Sequence, residues 1–376
     1  VRTAWPVGTP QGSAIARRHA RRSPDERHDC HTPAPALAER KARRPMNPAQ
    51  LLSIEDLRVH FALPGQGWFG RGKQVVRAVD GVTLQIGRGQ TVGLVGESGC
   101  GKSTTGRAIL RLAPIAGGRV VLDGTDLASL PSDALRRVRR RMQIVFQDPF
   151  ASLNPRHTVE QIVGEPLRVH DLRPPAERIG RIRELLDLVG LPSSALGRYP
   201  HEFSGGQRQR IGIARAVAAE PDFVVLDEPV SALDVSIQSQ ILRLLLDLQQ
   251  SFGLTYLFIA HDLAVVGQMS DEVCVMYLGR IVERGNRQAL YENPQHPYTQ
   301  ALLSAVPYPD PAIEATRRRV ILTGEVPSPV SPPPGCHFHT RCPIAVDRCR
   351  TEVPTLRPVG GGHEAACHLA TGVAPS

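Results

Sequence analysis

Thr91-Val-Gly-Leu-Val95 leads directly into Gly96-Glu97-Ser98-Gly99-Cys100-Gly101-Lys102-Ser103-Thr104, and Thr105 to Leu112 continues in helix-compatible residues. The first run is short, apolar and β-rich, which is how a buried strand reads. The second matches G-x-x-x-x-G-K-[ST] without a mismatch, a loop whose glycines let the backbone wrap closely around phosphate oxygens. Successive N–H groups across Ser98, Gly99, Cys100 and Gly101, with the N-terminus of the following helix, supply positive potential to an anion. Lys102 is expected to reach the β- and γ-phosphates of a nucleotide and the Ser103 hydroxyl to bind Mg2+, with Gly96 and Thr104 closing the two ends of the cradle. Strand, loop and helix in that order predict an α/β fold.

Further along, Phe223-Val-Val-Leu226-Asp227-Glu228-Pro229 ends a second buried-strand run in two acids. Neighbouring side chains on a strand point to opposite faces, so Asp227 and Glu228 cannot both face one metal ion. Asp227 is assigned to the Mg2+ shell and Glu228 to the attacking water, as general base or water-orienting group. About 20 residues before them, Ser204-Gly205-Gly206-Gln207 precedes an amphipathic run through Ala219 that stops before Pro221. This is a second helix N-terminus furnished with a hydroxyl and glycines, again suited to an anion. Alone, each element has a plain structural reading as a turn, a strand end or an N-cap; their order in one chain makes them a site.

The rest of the chain bounds what surrounds that site. Its 376 residues are 41% apolar and 22% charged, enough for a large core and two to three domains at roughly 150 residues each. Of 33 prolines, 7 lie in residues 1–50 and 14 in 291–376, so the regular fold is expected between these ends. Residues 1–45 carry ten Arg/Lys against four acids, a net +6 of the chain's +9. The basic balance therefore belongs to a tail, not a folded face, and gives no ground for nucleic-acid binding. That tail has neither a helical nor a strand period, whereas order begins at Leu51. Met46 is expected to be the initiator, with 1–45 an upstream or disordered extension; the other reading is a basic arm that touches acidic lipid or a partner. No run of 18 apolar residues is present to span a bilayer, and the N-terminus lacks the apolar region of a secretory signal, so an intracellular chain is expected. Arg136-Arg137-Val138-Arg139-Arg140-Arg141 is read as a solvated helix face.

Together these motifs resemble the ATPase subunits of ABC transporters. Gln147 in Ile144-Val-Phe-Gln147-Asp-Pro, Ser204–Gln207, Asp227-Glu228, Ser231-Ala-Leu-Asp234, and His261 after the strand Tyr256–Ala260 fall in family order over roughly residues 50–285. The resemblance implies an ABC-type ATPase core over 46–285, a RecA-like parallel sheet with a β-subdomain, and a helical subdomain at about 150–203 that meets membrane partners. It implies two cassettes facing head to tail. Each ATP would lie between Lys102, Ser103, Asp227 and Glu228 of one subunit and Ser204–Gln207 of the other, with Asp234 among the nucleotide-binding residues. His261 would hydrogen-bond the γ-phosphate, Gln147 would sense metal and water, and Phe61 would stack on adenine, with Trp68 and Phe69 nearby. Every catalytic position is intact, so hydrolysis is expected and not a regulatory, non-hydrolysing site.

Beyond about residue 286, Asn293-Pro-Gln-His296-Pro297-Tyr298 resembles the H-P-Y element of ATPases serving dipeptide, oligopeptide and nickel importers, as do Gly96–Thr104 and Gln147–Pro155. This implies peptide import at the cytoplasmic face of the membrane. The implied partners are a second homologous ATPase in a heterodimer, two transmembrane permease subunits and an extracytoplasmic substrate-binding protein, with no nucleic acid. A nickel or other small-solute importer, or a soluble ABC ATPase acting on nucleic acid, are the alternatives. Residues 286–376 also hold four of the seven cysteines, spaced Cys336-x5-Cys342-x6-Cys349-x17-Cys367. Four thiolates suit [4Fe–4S] or Zn2+, and His337, His339, His363 and His368 keep mixed Cys/His zinc open. The spacing itself leans to zinc, and four free cysteines in a loose tail are the remaining reading. The resemblance favours a [4Fe–4S] cluster. Arg341, Arg348 and Arg350 flank the thiols and are expected to lower their pKa, and the metal is expected to hold together an extension too poor in apolar residues to fold unaided.

Overall fold

The computed structural model of the protein describes residues 50–63, 74–306 and 319–371. The 1–45 extension, Met46, Trp68 and Phe69 lie outside the described residues. The strands, in chain order, are β1 (Gln50–Ala62), β2 (Val75–Gly87), β3 (Thr91–Val95), β4 (Gly117–Leu122), β5 (Thr125–Asp126), β6 (Met142–Val145), β7 (Phe223–Asp227), β8 (Thr255–Ala260), β9 (Glu272–Tyr277), β10 (Arg280–Asn286), β11 (Arg357–Gly360) and β12 (His363–Ala365). Among the described residues they form a four-stranded sheet, β2-β1-β4-β5, and an eight-stranded sheet, β11-β12-β10-β9-β3-β8-β7-β6. Neighbours from β9 through β6 pair in parallel, with β3 between β9 and β8. The β10, β12 and β11 edge is antiparallel.

The helices are α1 (Lys102–Ile109), α2 (Ser132–Arg139), α3 (Pro149–Ser152), α4 (Val159–Val169), α5 (Pro175–Leu188), α6 (Gly205–Ala218), α7 (Val235–Phe252), α8 (Leu263–Met269), α9 (Arg287–Glu292), α10 (Pro297–Ala305) and α11 (Asp347–Thr351). Strand periodicity divides the core in two. Val92, Leu94, Phe223, Val225, Leu257 and Ile259 point to one face and pack with the small sheet and with Ala108 and Ile109 of α1. Val95, Val224, Leu226, Tyr256 and Phe258 point to the other and pack with α4 to α8. A strand buried on both faces must be apolar throughout, which is why Thr91–Val95 reads as a continuous run and not an alternating one.

The helical segment starts with a capping box: Thr158 Oγ1 accepts from the N–H of Gln161, whose side chain accepts from the Thr158 N–H. Of the arginine run, Arg136, Arg137 and Arg140 are exposed. Arg139 instead donates to the carbonyls of Leu110 and Arg111, and Arg141 pairs with Asp123 and Asp222. The run is therefore a solvated face at some positions and a brace at others.

The 286–376 region enters the core of the cassette. Glu283 of β10 is fully buried, and a buried carboxylate needs donors. The N–H groups of Gln295 and His296 supply two, at 2.6 and 2.9 Å, and His363 Nε2 lies 2.7 Å from Oε1. His296 then caps α10, its Nδ1 accepting from the Tyr298 N–H at 3.1 Å. Tyr298, Tyr277 and Phe338 are all buried, with ring centroids 4.8 to 5.4 Å apart. These contacts correct the expectation that metal binding is what holds the extension together: it borrows the cassette's core and lengthens its sheet. Among the described residues, no three His, Cys, Asp or Glu side chains are arranged to hold a metal ion.

Burial pushes the His296 imidazole down to about 4 from its ordinary 6.5, and Glu283 offsets only part of this. The unfolded chain therefore binds a proton that the folded chain refuses, so stability present above pH 6.5 is lost as pH falls towards 4. Denaturant titrations are expected to show a loss of up to about 3 kcal/mol across that window. His296→Asn, which keeps a capping acceptor, should show a much smaller loss there; an equal loss in the two chains removes His296 as the cause.

Candidate functional site

The loop between β3 and α1 is held in place by its glycines. At Gly101, φ is +109°, and a Cβ there would sit 2.1 Å from the Ala78 carbonyl oxygen. At Gly96 a Cβ would sit 2.2 Å from the Met276 carbonyl oxygen. Close backbone approach to β2 and β9, as much as to any ligand, therefore requires glycine. Ser98 and Gly99 are exposed at the tip, Cys100 is buried, and Ser103 and Thr104 are half-buried at the start of α1. Lys102 is buried, with Nζ donating to the carbonyls of Gly96 at 2.7 Å and Glu97 at 3.0 Å.

Two acids close the site from β7. Ser103 Oγ donates to Asp227 Oδ1 at 2.6 Å, while Asp227 Oδ2 is buried without a hydrogen-bond partner. Burial pushes the Asp227 carboxyl above its ordinary range, and the Ser103 bond only partly opposes this. An orphaned oxygen beside a serine hydroxyl at the start of a helix fits a divalent cation, whose charge supplies what burial removed. Glu228 follows the strand with φ +46°, the left-handed region, held by its N–H on the Ile259 carbonyl at 2.9 Å and by Ser231 Oγ on its own carbonyl at 3.1 Å. Such a backbone conformation is strained for a residue other than glycine. Glu228 Oε2 accepts from Gln147 Nε2 at 2.9 Å and lies 3.2 Å from His261 Nδ1, and Oε1 is 4.0 Å from Lys102 Nζ.

Ser98, Gln147, Asp148, Glu228, Ser231, Ala232 and His261 line an open pocket of about 490 Å3, and Lys102, Ser103 and Asp227 lie outside its lining. The Ser204–Gln207 turn is not in its lining. Ser204 and Gln207 cap α6 reciprocally, Ser204 Oγ accepting from the Gln207 N–H and Gln207 Oε1 from the Ser204 N–H, and both are exposed. Gly206 leaves room for Ile237 Cγ2, which a Cβ would meet at 2.6 Å, so this turn packs beside the start of α7. Asp234, exposed, begins α7 without a side-chain cap bond. Phe61 lies at the far end of β1 opposite Val76 and is 38% exposed.

Cys336, Cys342, Cys349 and Cys367 line one small pocket, with His296, His339 and His368 in the same lining and no disulfide. The expectation that neighbouring arginines lower the thiol pKa values is overturned. Burial raises Cys336 to about 11 and also raises Cys342 and Cys367. Arg341 points instead to Glu97, Arg348 to Glu352 and Arg350 towards Asp347. Sequence reasoning also missed Glu97, Arg341 and Tyr298 as parts of the loop's surroundings. The signal available was Glu97 itself, an acid inside a phosphate loop, which demands a cationic partner.

A glycine loop at the carboxyl edge of a parallel sheet, facing an acid pair, a glutamine and a histidine, defines an ATP-binding cassette. Residues 79–231 match the ABC transporter family and residues 282–349 the oligopeptide/dipeptide transporter C-terminal region. A putative peptide import ATP-binding protein of Brucella ovis is 54% identical over 322 residues, covering 86% of this chain and 98% of the relative. The oligopeptide transport ATP-binding protein AppF of Bacillus subtilis is 51% identical over 324 residues, covering 86% and 98%. Among solved structures, the dimeric post-hydrolysis ATP-binding cassette MJ0796 bound to ADP and Pi is similar with a TM-score of 0.57 and 28% identity, covering 63% of this chain and 99% of that one. The chain belongs to the ATP-binding proteins of ABC transporters, in the group with an oligopeptide/dipeptide transporter C-terminal region.

Gly101→Ala tests whether backbone contact dictates the loop. It should lower the unfolding free energy by more than about 2 kcal/mol, read by denaturant titration, because the Ala78 carbonyl cannot yield. A change under about 0.5 kcal/mol contradicts that contact.

Proposed function

We propose that the chain is the ATP-hydrolysing subunit of an importer of dipeptides or oligopeptides, acting at the cytoplasmic face of a membrane. The observation that carries the hydrolytic part of this reading is the convergence of Gln147 and His261 on Glu228 Oε2, beside the Ser103–Asp227 pair and Lys102, and the match to the oligopeptide/dipeptide transporter C-terminal region supports peptide import. Ser103 and Asp227, with Gln147 nearby, would hold Mg2+, which supplies charge neutralisation to the phosphoryl oxygens. Lys102 Nζ exchanges its two loop carbonyls for the β- and γ-phosphates of ATP. Glu228 accepts the proton of the attacking water, while the Gln147 amide and the His261 ring hold its carboxylate in one orientation. His261, 53% exposed along its side chain, is free to hydrogen-bond the γ-phosphate, and Phe61 to stack on adenine.

The Ser204–Gln207 turn and Asp234 serve the other half of the assembly. Their exposure, outside the pocket of their own chain, supports a head-to-tail pair in which this turn meets the phosphates on a second ATPase subunit, and the similar solved cassette is dimeric. We place a related chain, not a copy, in that position. Two permease subunits would dock on the helical segment near Phe150, which is 64% exposed two residues past Asp148, and an extracytoplasmic binding protein would deliver the peptide. Among the described residues no helix is long and apolar enough to cross a membrane.

Four thiols line one pocket, none in a disulfide, and four thiolates would suit a [4Fe–4S] cluster or Zn2+. We assign Cys336, Cys342, Cys349 and Cys367 to a [4Fe–4S] cluster. Anaerobically purified protein should then be brown and hold about four irons per chain. One zinc per chain replaces the cluster with Zn2+, and protein without metal refutes both.

Glu228→Gln keeps the side chain's shape and removes its basicity. Turnover in the assembled transporter should fall by a factor of about 10² or more, with ATP binding retained. Near-normal hydrolysis would show that Glu228 is not the base.

A further inference from the structure

Glu97 is an acid within the loop that holds phosphate, and each of its polar groups is restrained. Its N–H donates to the Tyr298 hydroxyl at 2.8 Å, and its carbonyl accepts from Lys102 Nζ at 3.0 Å. Its carboxylate receives the Arg341 guanidinium in a fork, Nη1 to Oε2 at 2.7 Å and Nη2 to Oε1 at 3.1 Å. Both outside partners come from the C-terminal region, Tyr298 from α10 and Arg341 from the turn between Phe338 and Cys342.

The fork is built on rigid ground. The Arg341 side chain is 7% exposed and its guanidinium carbon lies 6.0 Å from the Tyr277 ring centroid. Its N–H donates to the Phe338 carbonyl at 3.0 Å, and Phe338 packs edge-on against Tyr277. A bidentate guanidinium fixes both position and plane of the carboxylate it meets, which an ammonium cannot do. Without this partner, a free carboxylate two residues before Gly99 would oppose the negative charge of a triphosphate at close range. One side chain therefore fixes the loop and cancels its unfavourable charge.

We propose that Arg341 and Tyr298 are positioning residues of the nucleotide site, through which the C-terminal region clamps the phosphate loop at Glu97 and sets affinity for the nucleoside triphosphate. This rests on the reading of Gly96–Thr104 as the nucleotide site. The clamp makes the loop and the C-terminal region one mechanical unit, so a disturbance of either reaches the other.

The full chain would be titrated with a fluorescent ATP analogue, competed with ATP, alongside thermal unfolding of each variant. Arg341→Ala should weaken ATP affinity about tenfold. Tyr298→Phe, which removes a single oxygen, should weaken it about threefold. Adding Glu97→Gln to Arg341→Ala should recover most of the lost affinity, because the opposing charge goes with it. A role for Arg341 confined to stability predicts lowered melting with no such recovery. ATP affinity within about twofold of the parent in both Arg341→Ala and Tyr298→Phe, or no recovery in the double variant, overturns the proposal. Lys102→Ala separates the two levels. If it loses ATP while the clamp variants do not, only the clamp is wrong; if it binds ATP as the parent does, the nucleotide-site reading falls and the clamp with it.

Discussion

Burial of β3 on both faces is the constraint from which the rest of the fold follows. Val92 and Leu94 face one core, Val95 the other, and all three are fully buried. The strand pairs in parallel on both sides, with Val95 opposite Ala260 and Val275. A strand so enclosed has no freedom to shift register, because a one-residue slip would exchange the two cores. The glycine loop leaves this strand directly, so the position of every backbone N–H in it is inherited from the sheet. The same sheet delivers Asp227 at the end of β7 and places His261 just beyond β8.

The local part of this was legible in the sequence. The G-x-x-x-x-G-K-[ST] run, the two acids after an apolar strand and the Ser204 turn before a helix each declare themselves through residue types at short spacing. Helix bounds differ modestly, since α1 ends at Ile109, not Leu112, and α6 at Ala218, not Ala219. What was hidden depends on pairs far apart in the chain. Arg341 and Glu97 are 244 positions apart, and His363 and Glu283 are 80 apart. No periodicity links such residues. Arg341 is next to Cys342 in sequence, but its guanidinium faces Glu97. The buried carboxylate of Glu283 was equally invisible, since an acid in a strand usually faces water.

The two acids at the end of β7 also show how one turn assigns two tasks. Asp227 stays within the strand and keeps its contact with Ser103, whereas Glu228 takes a backbone conformation that residues other than glycine seldom adopt. Glu228 nonetheless adds, as a nearby like charge, to the upward push that burial puts on the Asp227 carboxyl. Gln147 and His261 approach Glu228 from different parts of the chain, one after β6 and one after β8. Each is placed by a neighbouring strand of the same sheet.

The pairing of β12 with β10 has a consequence for anyone who shortens this protein. A chain cut after Asn286 would present β10 as a bare edge, offering its backbone groups to any other strand in solution. The same cut strips Glu283 of the donors from Gln295, His296 and His363 and leaves a carboxylate in an apolar wall. Such a fragment, designed as a minimal cassette, is a candidate for aggregation through edge-to-edge pairing, and its poor behaviour would say nothing about the catalytic groups it still contains.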